Sequence, residues 1–476
     1  MAMTATAGVC RAQANAPGHV ETDHERMVRW FGRLAPKPDL LPPVPTLPAA
    51  GQVWTIEQAL ARALDANPDV QVALAGVQKQ DGVLLESQAL LLPRIAVSAS
   101  ADWRDPALTD RSNAELSSAA VGQGLTPIST RGYNSQVELR QPIFDGLASW
   151  MQIKRTALLK KKASVDARDA YLRVASQVRQ AYDAILVRQL IVGVRRDAAR
   201  DMAHLSEVAQ KRFNAGEISE YESLRAQSAT RSADADLAQA EADLARTEEL
   251  FCRMLYIEKP AGGLQLAGKL EPFNYRETFE AALARAQVER LDVRSAALQL
   301  DAAKLSVQVT AASALLPRVD GYVNYGYRSS YYDANRQLEG WSAGVTGTWN
   351  IFDSGQTLGS IRTQRADRRV AEIRLAESQR LVGSQVHELF AALDQSKTVM
   401  SAQASARDLG ERSVSEARKL YEVGRVSLEE VLNTELAYRQ ALVGWLSAVF
   451  TYNTSVYQLD YATANESFLD GVAKKP

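Results

Sequence analysis

The chain has 476 residues, enough for two or three ordinary domains, and its 55 basic and 56 acidic side chains nearly cancel. That balance argues against a nucleic-acid partner or a polybasic membrane-surface role. Two distant cysteines, Cys10 and Cys252, and four histidines, His19, His24, His204 and His387, give neither a disulfide framework nor a metal-ligand spacing.

At the N-terminus, Met1 to Ala14 ends in Ala12-Gln13-Ala14, which has the small-residue form of a signal-peptide cleavage site. No apolar segment of about 7–15 residues precedes it, so it reads equally as the tail of a longer signal peptide or as a disordered terminus. Ala7-Gly8-Val9-Cys10 has the outline of a lipoprotein cleavage box, but Val9 stands where a small residue is expected, which argues against lipidation at Cys10. Six prolines between Pro36 and Pro48 make an extended linker. Residues 1–53 are therefore read as a signal remnant and a proline-rich extension.

From Trp54 onward the chain says the same thing twice. Leu60-Ala61-Arg62-Ala63 returns as Leu283-Ala284-Arg285-Ala286, and Leu91-Leu92-Pro93-Arg94 returns as Leu315-Leu316-Pro317-Arg318. Ile143-Phe144-Asp145-Gly146 is echoed by Ile351-Phe352-Asp353-Ser354-Gly355. Phe213-Asn214-Ala215-Gly216-Glu217-Ile218-Ser219 is echoed by Tyr421-Glu422-Val423-Gly424-Arg425-Val426-Ser427. Phe144 and Phe352 are 208 residues apart, as are Gly216 and Gly424, so the interval between these motifs is held without a gap. The period is too long for a solenoid and marks duplication of a large unit. The extra residues of the first copy fall between Pro93 and Phe144, as insertions into exposed loops do.

Between Pro93 and Phe144, and between Pro317 and Phe352, apolar residues alternate with polar ones. Ile95, Val97, Ala99, Ala101 and Trp103 share one face; Val137, Leu139 and Ile143 share another. Val319, Val323, Tyr325 and Tyr327 follow the same rule, as do Trp341, Ala343, Val345, Gly347, Trp349 and Ile351. The spacing predicts strands over about 94–104, 133–144, 318–328 and 341–352, with the length and pattern of membrane-crossing β-strands. Trp103, Tyr133, Trp341 and Trp349 suit interfacial girdles. Four strands cannot close a barrel, and an open edge cannot sit in lipid, so the sheet must be shared between copies.

Leu147 to Arg212 holds no proline and one interior glycine, Gly193. Tyr171, Val174, Val178, Ala181 and Ile185 step by three and four, and Val382, Val386, Leu389 and Leu393 repeat the stripe in the second copy. A continuous helix of about 65 residues would be roughly 100 Å long. Gly216 and Gly424 then supply the reversal, and Ser219 and Ser427 cap the returning helices, Glu220–Cys252 and Leu428–Tyr457. The first repeat spans 54–272 with its tip near 216, the second 273–461 with its tip near 424, and 462–476 form a C-terminal tail. No phosphate loop, dinucleotide fingerprint or nucleophile elbow is present, and no run approaches about twenty apolar residues. No catalytic, cofactor-binding or metal-ligating residue is expected, and the chain reads as a non-enzyme.

These motifs resemble the TolC-like outer membrane factor family. The carriers are the strand heads at Pro93 and Pro317, the Ile-Phe-Asp exits, the Gly-x-Ile/Val-Ser turns, Trp54-Thr55-Ile56-Glu57-Gln58-Ala59-Leu60 and Asn67-Pro68. The resemblance covers about Trp54 to Tyr461. It implies an α+β membrane protein: a homotrimer with a twelve-stranded barrel in the outer membrane of a Gram-negative bacterium and a periplasmic α-helical barrel. An equatorial belt would draw on residues 253–275 and on the chain after Tyr457. It implies an exit duct for type I protein secretion or multidrug efflux, without a cofactor. Its partners would be a periplasmic adaptor, an inner-membrane ABC or proton-driven pump, and outer-membrane lipid. Carried over by position, Tyr421 falls on the family's tip tyrosine, Glu222 on its acidic partner and Glu430 on the first position of an acidic ring. Asn433 stands where a second acid is often found, and Val426 where the family has an arginine, beside Arg425. Two alternatives remain open from the residues alone: a periplasmic adaptor and a coiled-coil scaffold of an export complex.

Overall fold

The computed structural model describes residues 53–103, 105, 107, 131–260, 262–330 and 338–465. Cys10, the signal-like segment, the proline-rich linker and the tail from 466 onward lie outside the described residues, as does position 104 at the end of the first predicted strand.

Among the described residues the elements run in the same order twice. The first copy holds α1 (Ile56–Ala66), α2 (Pro68–Ala89), β1 (Arg94–Trp103), β2 (Arg131–Phe144), α3 (Ala148–Asn214) and α4 (Glu220–Leu255). The second holds α5 (Phe279–Glu289), α6 (Leu291–Leu315), β3 (Arg318–Ser330), β4 (Leu338–Thr348), α7 (Gln356–Glu422) and α8 (Leu428–Ala462). Local signals set the starts. Thr55 and Gln58 form a reciprocal capping box on α1, and Asn67 accepts from the Asp69 N–H ahead of α2, with Pro68 in the first turn.

The two rods, α3 and α7, are both 67 residues long, about 100 Å at the helical rise. Their heads share one device. Gly146 and Leu147 (φ 70° and 65°), and Ser354 and Gly355 (φ 55° and 91°), turn the chain through the left-handed region. The aspartate of each Ile-Phe-Asp motif then accepts a first-turn N–H: Ser149 on Asp145 at 2.8 Å and Thr357 on Asp353 at 2.7 Å. Gly146 is further required because a Cβ there would lie 2.7 Å from the Leu316 side chain, so the turn of one copy packs on the Leu-Leu-Pro-Arg motif of the other.

The heptad stripe is the core. Val174, Val178 and Ile185 in α3, and Val382, Val386 and Leu393 in α7, are buried, with Tyr171, Ala181 and Leu389 packed beside them. Around the first stripe lie Leu60, Leu172, Phe251 and Leu255, and truncating a side chain such as Phe251 to alanine costs about 3–5 kcal/mol. The returning helices run further than predicted, to Leu255 and Ala462, because Phe251, Leu255 and Leu459 still have core to cover. Cys252 is buried and unpaired, and burial pushes its thiol up to about 11. The segment from Tyr256 to Thr278 is strapped across this core. Trp54 pairs with Leu266, the Tyr182 hydroxyl donates to the Trp54 carbonyl at 2.9 Å, and the Phe273 N–H donates to Asn453 at 3.1 Å.

The strands form one antiparallel sheet in the order β1-β2-β3-β4. The register sets Val97 opposite Val137, Val137 opposite Tyr325 and Tyr325 opposite Trp341, an apolar row across all four strands. Ile95, Leu139, Val323 and Ala343 make the next row. On the opposite face Ala96, Glu138, Asn324 and Ser342 line up. Trp341 is 75% exposed and Val97 76%, so the apolar face has no cover among the described residues. Trp103 and Tyr133 meet edge to face, 6.5 Å between centroids. β4 starts earlier than the alternation predicts and stops at Thr348, not near 352. The periodicity persists through Trp349 and Ile351, but the backbone is already turning toward the Asp353 cap.

Candidate functional site

The far ends of the rods are built alike. Gly216 (φ 75°) and Gly424 (φ 72°) occupy the left-handed region, which a glycine adopts at least cost. The following N–H reaches back to the same carbonyl in both turns, Glu217 to Arg212 at 2.9 Å and Arg425 to Leu420 at 2.8 Å. Ser219 and Ser427 accept the N–H of Glu222 and Glu430, each at 3.3 Å, which caps α4 and α8. Glu220, Glu222, Glu429 and Glu430 sit in these first turns, where the helix dipole favours negative charge.

Within one chain the two tips are docked together. Ala209, Ala226 and Leu428 are buried between them, with Leu205, Ile218, Tyr421 and Leu432 alongside. The Arg212 guanidinium lies over the Tyr421 ring at 4.8 Å, and Arg225 of α4 pairs with Glu429 of α8 at 2.9 Å. Of the residues singled out in the sequence, Tyr421 is in this contact. Glu222 is half-buried, and the structure does not bring its carboxylate to Tyr421. Arg425, Glu430 and Asn433 are exposed, and none of their side chains makes an ion pair or hydrogen bond among the described residues.

Between six and fifteen residues along the chain from the tip glycines lies a charged cluster that none of the sequence motifs includes. Arg418 of α7 bonds to Glu435 of α8 and, at 2.9 Å, to Asp201 of α3. Arg439 adds bonds to Asp201 at 2.8 Å and to Glu435 at 3.1 Å, while Glu435 is only 1% exposed. The cluster therefore ties the first hairpin to the second. In the first hairpin the equivalent positions, 208 residues earlier, are Gln210 and Gln227, where the Gln227 amide donates a hydrogen bond to Gln210 Oε1 at 3.0 Å. Comparing the copies position by position would have exposed this difference; Asp201 carries no such signal, because Leu409 is its counterpart.

Further up, half-buried acids face tyrosines. Asp183 accepts from the Tyr457 hydroxyl at 2.9 Å and from the Asn453 amide at 3.2 Å, and Asp169 accepts from Tyr461 at 3.0 Å. Burial raises the carboxyls of Asp183, Asp169 and Asp460 above the usual range, against the lowering effect of their hydrogen bonds. No group of acids, cysteines or histidines that could hold a metal ion occurs among the described residues.

The sequence matches the outer membrane efflux protein family over residues 59–253 and 282–464. No curated protein matches it significantly. Among solved structures it is similar to the Campylobacter jejuni CmeC outer membrane channel, with a TM-score of 0.74 at 17% identity over 86% of this chain and 85% of that one. It is also similar to the outer membrane protein VceC of Vibrio cholerae (TM-score 0.69, 14% identity, 86% and 95% covered). The open state of the Neisseria gonorrhoeae MtrE outer membrane channel gives 0.65 at 16% identity, with 86% and 88% covered. At these identities the likeness is one of fold.

Proposed function

Since the chain belongs to the outer membrane efflux protein family, we propose that it is the outer-membrane exit duct of a tripartite export system, a passive conduit gated at its periplasmic tips. The observation that carries this reading is a sheet that, among the described residues, has one uncovered apolar face and two unpaired edges, mounted on rods of about 100 Å. In lipid such edges must be satisfied by neighbouring strands. Three copies supply twelve strands and enclose a lumen, and the rods of three chains then hang into the periplasm as a second, helical barrel. The apolar rows through Val97, Val137, Tyr325 and Trp341 face lipid, while the row holding Glu138, Asn324 and Ser342 faces water.

Such a duct needs no catalysis of its own. Its partners are an inner-membrane pump, of the ABC or proton-driven type, and a periplasmic adaptor that meets the tips at Gly216 and Gly424. The conduit serves type I secretion or multidrug efflux. Gating falls to the tips, with Glu430 and Asn433 presented toward the axis and Glu222, Tyr421 and Arg425 at the margins of the two turns. Purified protein fused into planar bilayers should give discrete conductance steps and run as a trimer in native mass spectrometry. A monomer without conductance would overturn the reading.

A further inference from the structure

At the heads of both rods some cations are paired, Lys160 with Asp81 and Lys162 with Asp166, and others are left without a carboxylate. From Ala148 to Val165, α3 carries Lys154, Arg155, Lys160, Lys161 and Lys162 and no acid; from Gln356 to Ala366, α7 carries Arg362 and Arg365 and no acid. Lys154 and Arg362 are 208 residues apart, so they occupy the same level of the two rods; the next matched cations down, Lys160 with Arg368 and Arg369 nearby, are paired with Asp81 and Glu372. Among the described residues Lys154, Arg362 and Arg365 are exposed and make no ion pair. Farther down the first rod, Arg195 pairs with Asp236 and Arg196 with Glu241; on the second, Arg407 pairs with Asp408 and Arg418 with Asp201.

The level of these cations is fixed by their neighbours. Ile143, Phe144, Leu147, Ile351 and Phe352 are large, apolar and exposed at the junction of sheet and rod, and they continue the uncovered face of the sheet downward. Trp150 follows in the first turn of α3, half exposed, with the Lys154 ammonium over its ring at 3.5 Å. A tryptophan with a lysine directly beneath an apolar band is the arrangement of a membrane–water interface. Lys154 and Arg362 lie six residues into their rods, about 9 Å along the axis, and Arg365 about 13 Å. The headgroup layer is several ångströms thick on each side of the hydrocarbon, and long basic side chains reach back toward it.

Resting on the outer-membrane reading above, we propose that this collar binds anionic phospholipid of the periplasmic leaflet, with headgroup phosphates held by Lys154, Arg362 and Arg365 and Trp150 seated at the acyl boundary. Continuity with the lipid-facing sheet and the charge of Lys154, Arg362 and Arg365, unpaired among the described residues, both specify this occupant. Each cation near an anionic surface is worth about a fivefold preference.

The test uses the full-length trimer in mixed micelles with phosphatidylglycerol or phosphatidylcholine, read by native mass spectrometry. Wild type should retain phosphatidylglycerol at least about fivefold more than phosphatidylcholine. The variant Lys154→Gln/Arg362→Gln/Arg365→Gln should lose that preference while its conductance in neutral bilayers stays unchanged. Equal preference in variant and wild type overturns the proposal. So does a changed ion selectivity in neutral bilayers, which would place these cations in the lumen on the path of an anionic cargo. If the variant does not assemble, salt decides. A wild-type preference that persists from about 0.1 M to about 1 M salt, where charges beyond about 3 Å are screened, excludes phosphate recognition. Wild type that conducts nothing would instead remove the channel reading, whatever lipid it retains.

Discussion

Arg225 and Glu429 join the two hairpins of one chain across a gap of 2.9 Å, close to the turns where each rod reverses. Both are partly open to water, so the pair holds position more than it holds the fold together. Arg225→Ala should leave assembly intact and raise the fraction of time the channel spends open in bilayer recordings. The reversed pair, Arg225→Glu with Glu429→Arg, should restore closure. An open fraction equal to wild type in Arg225→Ala would show that this contact has no part in gating.

The buried Glu435 answers to two arginines. Removing one partner of a buried ion pair leaves an uncompensated charge and costs about 3–5 kcal/mol, here toward the lower end because Arg418 is half exposed. Glu435→Ala should therefore lower the thermal midpoint of the periplasmic region in detergent. Arg418→Gln with Glu435→Gln reproduces the Gln210–Gln227 pair of the first hairpin and should recover part of the loss. A double variant no more stable than the single one would mean that Asp201 and Arg439 dominate the cluster.

Asp183, Asp169 and Asp460 bind their protons more tightly folded than unfolded, because burial penalises the charged form. Their contribution to stability is complete below the ordinary aspartate value of 3.8 and is lost as pH rises through the raised folded values. Asp183→Asn cannot titrate. Its melting temperature relative to wild type should climb between about pH 4 and about pH 8. A constant difference across that range would show that Asp183 does not carry the pH dependence.

Glu430 is exposed and unpaired near the start of α8. Three copies converging on the axis would repel one another and draw cations into a narrow pore. Glu430→Ala should weaken block of the conductance by divalent cations, and Asn433→Asp should strengthen it. Unchanged block in both would remove this face from the constriction.

The rods were legible because nothing interrupts them: no proline, a heptad stripe, and an interval of 208 residues held in both copies. The sheet was legible through its alternation, although β4 ends before the pattern does, since Trp349 and Ile351 keep the period while Asp353 already caps α7. The tips were legible only as positions. Arg212, Arg225 and Asp201 meet partners more than two hundred residues away along the chain, and no local spacing announces such a meeting. Arg418 and Glu435 were the exception, since their counterparts Gln210 and Gln227 also face each other, so the charged pair stands against a neutral pair at the same place.

Among the described residues both β1 and β4 keep a bare edge, and with such edges a single chain has no lipid-embedded state in which its backbone is satisfied. Insertion and association are then one event, steeply dependent on how many chains arrive together. The same geometry spreads damage. A chain with a broken β1 would spoil the barrels its healthy neighbours would have formed, and if the proposed trimer holds, functional channels in a mixed population would fall with the cube of the intact fraction. A partial defect in this gene product would behave as a dominant poison rather than as a proportionate loss.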